Sequence, residues 1–544
     1  MKLLSKTNLI LLGITICSFF IRFLFWQKTP LLWDEAALGY NAFSILKTGR
    51  DEYGQFLPLI FKSFGDYKPG LYVYLCLPFI KIFGLNEISV RLPSIILGSI
   101  LPWLIYSLIK EINPKSHQTA LIAAVITATN PYNIHFSRGA WETNVLTLEL
   151  VLACYLFYRH LRTKKNSPLI LSAITFGLSL FTYQAGKMIS FFLVSILLLL
   201  NFKKINLKQI FIGFILPLGL FSLPIIHGLL FNSNANRLKV ISLFSYPRSE
   251  TEAQTIINET NNFDYQLFHN QSVFFLRNFF SRYFNHFSPK FLSFEGDWQN
   301  PRHSAPYIGV LLYPSLIFLF IGLFSGFIRQ KNQPLNLFFL LWLLVAPIPS
   351  ALTRDSVQSV RAMSLSVPLV YFISLGLFTF FEKFKSNFFK IIIIFLYLIS
   401  FIYYSDLYLN HMVVKSPYDF LYGYRQAMEF VNQNQAKYHQ IIFSDFYGQP
   451  YIFYLFYSQY PPQKYQQQAK LTDDSLDTGK VTHIDNLNFT TPGFETIKQT
   501  PHTLAIFSQE EIYRQGIDKS PDFSKFLPLS SIGHISTFYA YENP

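Results

Sequence analysis

The chain has 544 residues, of which 51% are hydrophobic and 14% charged, with 59 Phe and 33 Tyr; a composition this apolar excludes a soluble enzyme of this length. The net charge of +14 does not point to nucleic acid, because Lys and Arg gather in short loops between apolar runs, as they do on the cytoplasmic side of membrane proteins. Cys17, Cys76 and Cys154 lie in apolar stretches, so neither a disulfide framework nor a CxxC metal site can be built from them.

In chain order, Met1-Lys2-Leu3-Leu4-Ser5-Lys6 and the apolar run to Trp26 have the outline of a signal peptide. Phe20-Ile21-Arg22-Phe23-Leu24-Phe25-Trp26 offers no small-residue cleavage site, so the segment reads as a retained first helix, 8–26, that starts in the cytoplasm. Directly after it comes Leu31-Leu32-Trp33-Asp34-Glu35-Ala36-Ala37-Leu38-Gly39-Tyr40, with two adjacent carboxylates at the membrane surface in a chain that has only 31 acids. Such a pair can hold a proton, a metal ion or a substrate hydroxyl; the plain alternative is an exposed acidic loop. In Gly65-Asp66-Tyr67-Lys68-Pro69-Gly70-Leu71 a lysine precedes an apolar helix. A cation there suits a lipid phosphate at headgroup level, or the commoner task of a snorkelling anchor.

Further spans are predicted at 88–109, 120–134, 145–158, 169–183, 188–201, 210–231, 307–327, 335–352, 362–381 and 389–404. The segment 70–84, with Pro78 and Lys81 inside it, decides the topology. If it does not cross, the cytoplasmic side receives Lys2, Lys6, Lys110, Lys115, Arg159, Arg162, Lys164, Lys165, Lys203, Lys204, Lys208, Arg329, Lys331, Lys383, Lys385 and Lys390. The short outer loops then hold only Arg138, Lys187, Arg354 and Arg361. Sixteen against four is the asymmetry that the positive-inside rule requires. The expectation is therefore about 11 transmembrane helices, with the N-terminus cytoplasmic and the C-terminus outside.

This topology puts the polar chemistry on the outer face, in segments 27–87, 135–143, 184–187, 232–306, 353–361 and the tail from 406. Arg138 and Glu142, four apart, can pair along a helix. Phe294-Glu295-Gly296-Asp297-Trp298-Gln299-Asn300-Pro301-Arg302-His303-Ser304 has the polar, aromatic and Gly/Pro character of a carbohydrate-contacting loop, although a single His such as His303 is more often structural. Thr353-Arg354-Asp355-Ser356-Val357-Gln358-Ser359-Val360-Arg361 reads most simply as a solvated turn. The tail shows a helical pattern at 424–431 and strands at 440–444, 502–507 and 534–541, which predicts a small α/β domain. The domains are thus expected at 1–405, transmembrane, and 406–544, soluble. No Walker loop, Rossmann fingerprint, HExxH or GxSxG occurs, and no inverted repeat points to a transporter.

Taken together, the acidic pair in Trp33-Asp34-Glu35, Lys68-Pro69 with Leu71, Val90-Arg91-Leu92-Pro93-Ser94, Ser137-Arg138 with a nearby acid, and the 347–361 stretch ahead of a late span resemble the membrane glycosyltransferases of the GT-C type. The family they resemble is glycosyltransferase family 39, the protein O-mannosyltransferase and aminoarabinose-transferase group, over roughly residues 8–405. Gly70 stands where the family often has a second proline, and Glu142 where many members carry Asp. The resemblance implies a mostly α, polytopic GT-C fold with long outer loops and a small C-terminal α/β domain. It also implies transfer of a sugar, with inversion, from a polyprenyl-phosphate carrier to a protein, glycolipid or polysaccharide acceptor on the outer face of the plasma (inner) membrane. Asp34 is then the candidate base with Glu35 beside it, and Lys68, Arg91, Arg138 and Arg361 are candidates for the donor phosphate. Asp66, Glu142 and His303 are candidates for sugar or acceptor, while dependence on a divalent metal is left open. The competing classes are a transporter or flippase for a lipid-linked sugar and a non-enzymatic envelope assembly protein.

Overall fold

A computed structural model of the chain describes residues 5–231, 240–329, 333–472 and 479–544. Lys2 and Lys331 of the expected cytoplasmic set, and the start of the 232–306 loop, lie outside the described residues. The fold is mostly helical. Among the described residues, seven helices are long and apolar enough to cross a membrane: Lys6–Lys28, Glu87–Ile112, Gln184–Lys204, Leu207–His227, Pro334–Ala351, Met363–Lys383 and Asn387–Lys415. The other four expected spans are helical too, but shorter or more polar; the one at 120–134 is broken at Asn130 and Pro131 into α5 (His117–Thr129) and α6 (Pro131–Arg138). The segment at 70–84 forms α3 (Leu71–Phe83), whose 13 residues reach only about 20 Å against a hydrocarbon core of about 30 Å.

The chain divides into two compact units, and the division is not the one expected near 405/406. Residues Phe25–Pro93 join Leu409–Pro544, while Met1–Leu24 join Ser94–Tyr408. The helical unit has a core of aromatic and aliphatic side chains that includes Phe157, Phe214, Phe338, Phe339, Trp342 and Tyr371. Two of its helices cross at a pair of glycines. A Cβ on Gly322 of the helix Tyr313–Phe324 would lie 1.8 Å from the Phe372 carbonyl oxygen, and one on Gly376 of the helix Ser366–Lys383 would lie 1.9 Å from that of Phe318. Small residues are what let two helix backbones approach this closely without a hydrophobic driving force between them.

The second unit begins with α2 (Trp33–Thr48), then the hairpin of β1 (Ile60–Ser63) and β2 (Asp66–Pro69), α3, and the start of α4 (Glu87–Ile112). Its C-terminal part is a six-stranded mixed sheet made of β3 (Gln440–Phe443), β4 (His483–Ile484), β5 (Leu487–Phe489), β6 (Thr503–Ser508), β7 (Leu527–Pro528) and β10 (Phe538–Asn543). The order is β4-β5-β3-β6-β10-β7, and a small hairpin, β8 (Ser531–Ile532) with β9 (Ile535–Ser536), lies outside it. β3 runs parallel to both β5 and β6, and β10 antiparallel to β6. Gly39 of α2 explains itself here: a Cβ would meet Val90 at 2.6 Å and Phe456 of the helix Pro450–Tyr457 at 2.7 Å. The C-terminal sheet domain and the acidic helix α2 are therefore parts of one folded unit.

Candidate active site

Asp34 and Glu35 occupy the first turn of α2, where the exposed backbone N–H groups and the helix dipole favour carboxylates. They have different surroundings. Glu35 is buried and fully engaged: Oε2 accepts from the Leu32 N–H at 3.1 Å, and both oxygens take the Arg91 fork, Nε to Oε1 at 2.9 Å and Nη2 to Oε2 at 2.7 Å. Arg91 spends its other donors on the carbonyls of Trp26, Thr29 and Pro30, so all five N–H groups are committed inside the fold. Its side chain is 1% exposed. The expected phosphate role of Arg91 thus meets a guanidinium already saturated, and Glu35 serves as its counter-ion.

Asp34 is 42% exposed and forms an ion pair through Oδ1 with the Lys68 ammonium, which is 19% exposed. Lys68 lies on β2, opposite Phe61. The hairpin turns on two residues, and both have positive φ, Phe64 at 54° and Gly65 at 92°. That is the tight turn whose twist suits a hairpin, but a phenylalanine in this region is strained. The fold holds it there by burial: the Phe64 ring sits edge-on to Tyr451, with centroids 6.0 Å apart, and the Lys68 ammonium lies 5.1 Å from its centroid. Gly70 is required as well, since a Cβ would fall 2.4 Å from the Phe61 ring and 2.9 Å from the Leu59 carbonyl. The departure from a second proline at this position therefore has a local packing cause. Asp66 is buried on the same strand.

Beside this pair lies a residue that the motif reading passed over. Glu52 is fully buried; Asn41 Nδ2 donates to its Oε1 at 3.0 Å, and the Glu52 N–H donates to Asn41 Oδ1 at 3.0 Å. Burial pushes its carboxyl up to about 8; the Asn41 bond pulls the other way, Asp51 adds to the rise, and Lys68 opposes it. Tyr53 next to it shares a hydroxyl–hydroxyl contact of 3.3 Å with Tyr451. The sequence signal was an acid flanked by Asp51 and Tyr53 in a loop, which polar loops commonly show.

The other predicted residues belong to the helical unit. Glu142 starts α7 (Glu142–Thr163). Arg138 ends α6 and donates to the Ile21 carbonyl at 2.7 Å. His303 is buried and bonded through Nδ1 to Asp297 Oδ2 at 3.1 Å. Asp297 also accepts from the Ser359 N–H at 2.8 Å and from Asn300, so the pair ties the 297–303 loop to Ser359. Burial alone would raise the Asp297 carboxyl, but His303, Ser359 and Asn300 hold it below its ordinary value. Arg361 donates to Thr353 Oγ1 at 2.9 Å and to Asp355 Oδ2 at 3.1 Å. It lines a cavity of about 240 Å³ with Gln184, Met188, Ser242 and Phe244. Among the described residues, no three His, Cys, Asp or Glu side chains gather into a group that could hold a metal ion.

Residues 67–227 match the family model described as Dolichyl-phosphate-mannose-protein mannosyltransferase. No curated protein sequence matches the chain. Among solved structures, ArnT from Cupriavidus metallidurans in the apo state is 9% identical, with 98% of this chain and 97% of that chain covered and a TM-score of 0.54. The same protein bound to undecaprenyl phosphate gives 10% identity, 99% and 98% coverage and a TM-score of 0.53. The archaeal oligosaccharyltransferase AglB from Archaeoglobus fulgidus, in complex with an inhibitory peptide and a dolichol-phosphate, gives 11% identity, 98% and 74% coverage and 0.51. At these identities the likeness is one of fold.

Proposed function

We propose that this chain, a membrane glycosyltransferase of the GT-C type by its fold and its family match over residues 67–227, transfers a sugar from a polyprenyl-phosphate donor to an acceptor hydroxyl. The observation that carries this reading is the Asp34–Lys68 pair, an accessible carboxylate at a helix N-terminus held against an accessible ammonium on a strained hairpin. Support also comes from two of the matched structures, one bound to undecaprenyl phosphate and one in complex with a dolichol-phosphate.

The residues suit the step. In the resting pair each charge satisfies the other. A donor phosphate that draws the Lys68 ammonium toward itself leaves the Asp34 carboxylate open to an incoming acceptor. The acceptor oxygen then attacks the anomeric carbon from the face opposite the phosphate, and its proton passes to Asp34. The bond between the anomeric carbon and the phosphate oxygen breaks, and the electron pair stays on the phosphate. Lys68 stabilises the charge that grows there. Inversion, an outer-face site and attachment to the plasma (inner) membrane go with this reading. Glu35 positions Asp34 by fixing the first turn of α2 through Arg91. Asp66 borders the lysine on the same strand, while Glu142, His303, Arg138 and Arg361 belong to the helical unit.

The test is Asp34→Asn in purified protein reconstituted with polyprenyl-phosphate sugars. An amide cannot accept the proton, so turnover should fall by about a hundredfold to ten-thousandfold while donor-lipid binding stays near normal. Lys68→Ala should instead weaken donor binding by about tenfold or more. Near-normal transfer by a folded Asp34→Asn protein would remove Asp34 from the mechanism and favour a transporter, which need not depend on the basicity of one group.

A further inference from the structure

The helical unit buries two arginines side by side. Arg22 of α1 (Lys6–Phe23) is 0% exposed, and Arg138 is 5% exposed. Arg138 bonds the carbonyl of Ile21, the residue next to Arg22 in the chain. Arg22 Nη1 donates to the Ala128 carbonyl at the C-terminal end of α5 at 3.2 Å, and to Ser18 Oγ of its own helix at 2.7 Å. Arg138 reaches the C-terminal end of α1 through Nη1 alone. Helix C-termini attract cations, so each arginine acts partly as a cap.

Capping leaves too much unused. Nε and Nη2 of Arg138 are buried and have no hydrogen-bond partner, and neither has Nε of Arg22. The Nε/Nη2 edge is the one that Arg91 uses to grip the two oxygens of Glu35. Among the described residues no carboxylate pairs with Arg22 or Arg138. Leaving charged donors buried and unsatisfied is expensive, and an ionised residue at membrane depth without a partner marks a binding path. The Arg138 guanidinium lies 5.2 Å from the Tyr408 ring centroid, and the His135 ring stands edge-on to the same tyrosine. His135 donates its Nε2–H to the Arg302 carbonyl at 2.8 Å, which leaves Nδ1 as a buried atom without a partner.

We propose that Arg22 and Arg138 form a phosphate site, with the Nε/Nη2 edge of Arg138 taking two oxygens of a phosphomonoester and Arg22 supplying the second positive charge. Two cations with which no carboxylate among the described residues forms an ion pair match a phosphomonoester, which carries a charge of about −1.5 to −2 at neutral pH. They match a phosphodiester less well, since it carries only one. The distinction has meaning because it rests on the proposed transfer: the sugar-loaded carrier is a diester, and the carrier left after transfer is a monoester. The site would therefore hold the spent carrier in preference to the donor. Bidentate contact also requires a guanidinium, because an ammonium offers no paired edge.

Binding of undecaprenyl phosphate and of inorganic phosphate to the full chain in detergent tests this without any turnover. Wild type should bind undecaprenyl phosphate, and Arg138→Gln should weaken that binding by about tenfold or more. Arg138→Lys, which keeps the charge and guards against misfolding, should show most of the same loss. A lipid phosphodiester of equal chain length should bind more weakly than undecaprenyl phosphate in wild type, and equally in Arg138→Gln. Arg138-dependent binding of inorganic phosphate alone would uphold the site and assign it to free phosphate. Unchanged binding of both probes by a folded Arg138→Gln protein would overturn the proposal and leave Arg138 as the cap of α1. If binding depends on Arg138 but no transfer is found in reconstitution, the phosphate site stands and the transferase reading falls.

Discussion

Glu52 is a carboxylate folded into an interior that Asp51, Tyr53, Tyr451, Tyr465 and Lys68 share with it. Its folded value of about 8 lies above the ordinary carboxyl range, so the protonated form is favoured in the native state. The stability this contributes is fully present below the unfolded value and is lost as pH rises through about 8. The thermal midpoint should therefore fall between pH 6 and pH 9, and Glu52→Gln, isosteric with the protonated acid, should flatten that slope. A slope that survives Glu52→Gln would place the titration elsewhere, with Asp51, which burial also raises, the next group to replace. The Glu35–Arg91 pair makes a different claim. Removing the acid leaves a saturated, buried guanidinium without its counter-charge, a change that costs roughly 3–5 kcal/mol in comparable sites. Glu35→Ala should thus lower stability in detergent well before any selective effect on transfer can be seen. A folded Glu35→Ala protein of normal stability with impaired turnover would move Glu35 from support into chemistry.

Helices and strands carry the next set of consequences. The apolar runs were legible because spanning length and hydropathy are local properties, and the helix ends followed from charges and prolines. The crossing at Gly322 and Gly376 was not legible, since a glycine inside an apolar helix looks the same whether or not another backbone lies against it. Gly376→Val should push Phe318 and its helix outward, with a loss of about 1–3 kcal/mol from overpacking, read as a lower thermal midpoint. Gly13 has nothing within 4 Å of its built Cβ, so Gly13→Ala should leave the midpoint unchanged or slightly higher. The hairpin is the counter-example, because the sequence Phe64-Gly65 does not advertise a turn with two positive φ values. Only the burial of the Phe64 ring under Lys68 and against Tyr451 makes it tenable.

At the scale of the whole molecule, the charge asymmetry of the loops predicts which side each loop faces. A reporter fused after Pro544 or inserted near Thr260 should read the outer side. A cytoplasmic signal at the C-terminus would mean that α3 crosses, against its length of 13 residues. The sequence by itself determined the membrane class, the run of helices, the C-terminal α/β segment and the presence of an acid pair and a lysine early in the chain. All of these rest on composition and on neighbours within a few residues. It also suggested a boundary near 405, because apolar spans give way to polar strands there. Tertiary structure decided the rest. It joined residues 25–93 to the C-terminal segment, which no local pattern records, since the contacts of Gly39 with Phe456 and of Phe64 with Tyr451 span several hundred residues of chain. It also separated the two adjacent acids. Neighbours on an α-helix point about 100° apart, so one turned inward to Arg91 and the other outward to Lys68. The pair reads as one motif in sequence, but only the packing around α2 could say which carboxylate supports the fold and which is left accessible for chemistry.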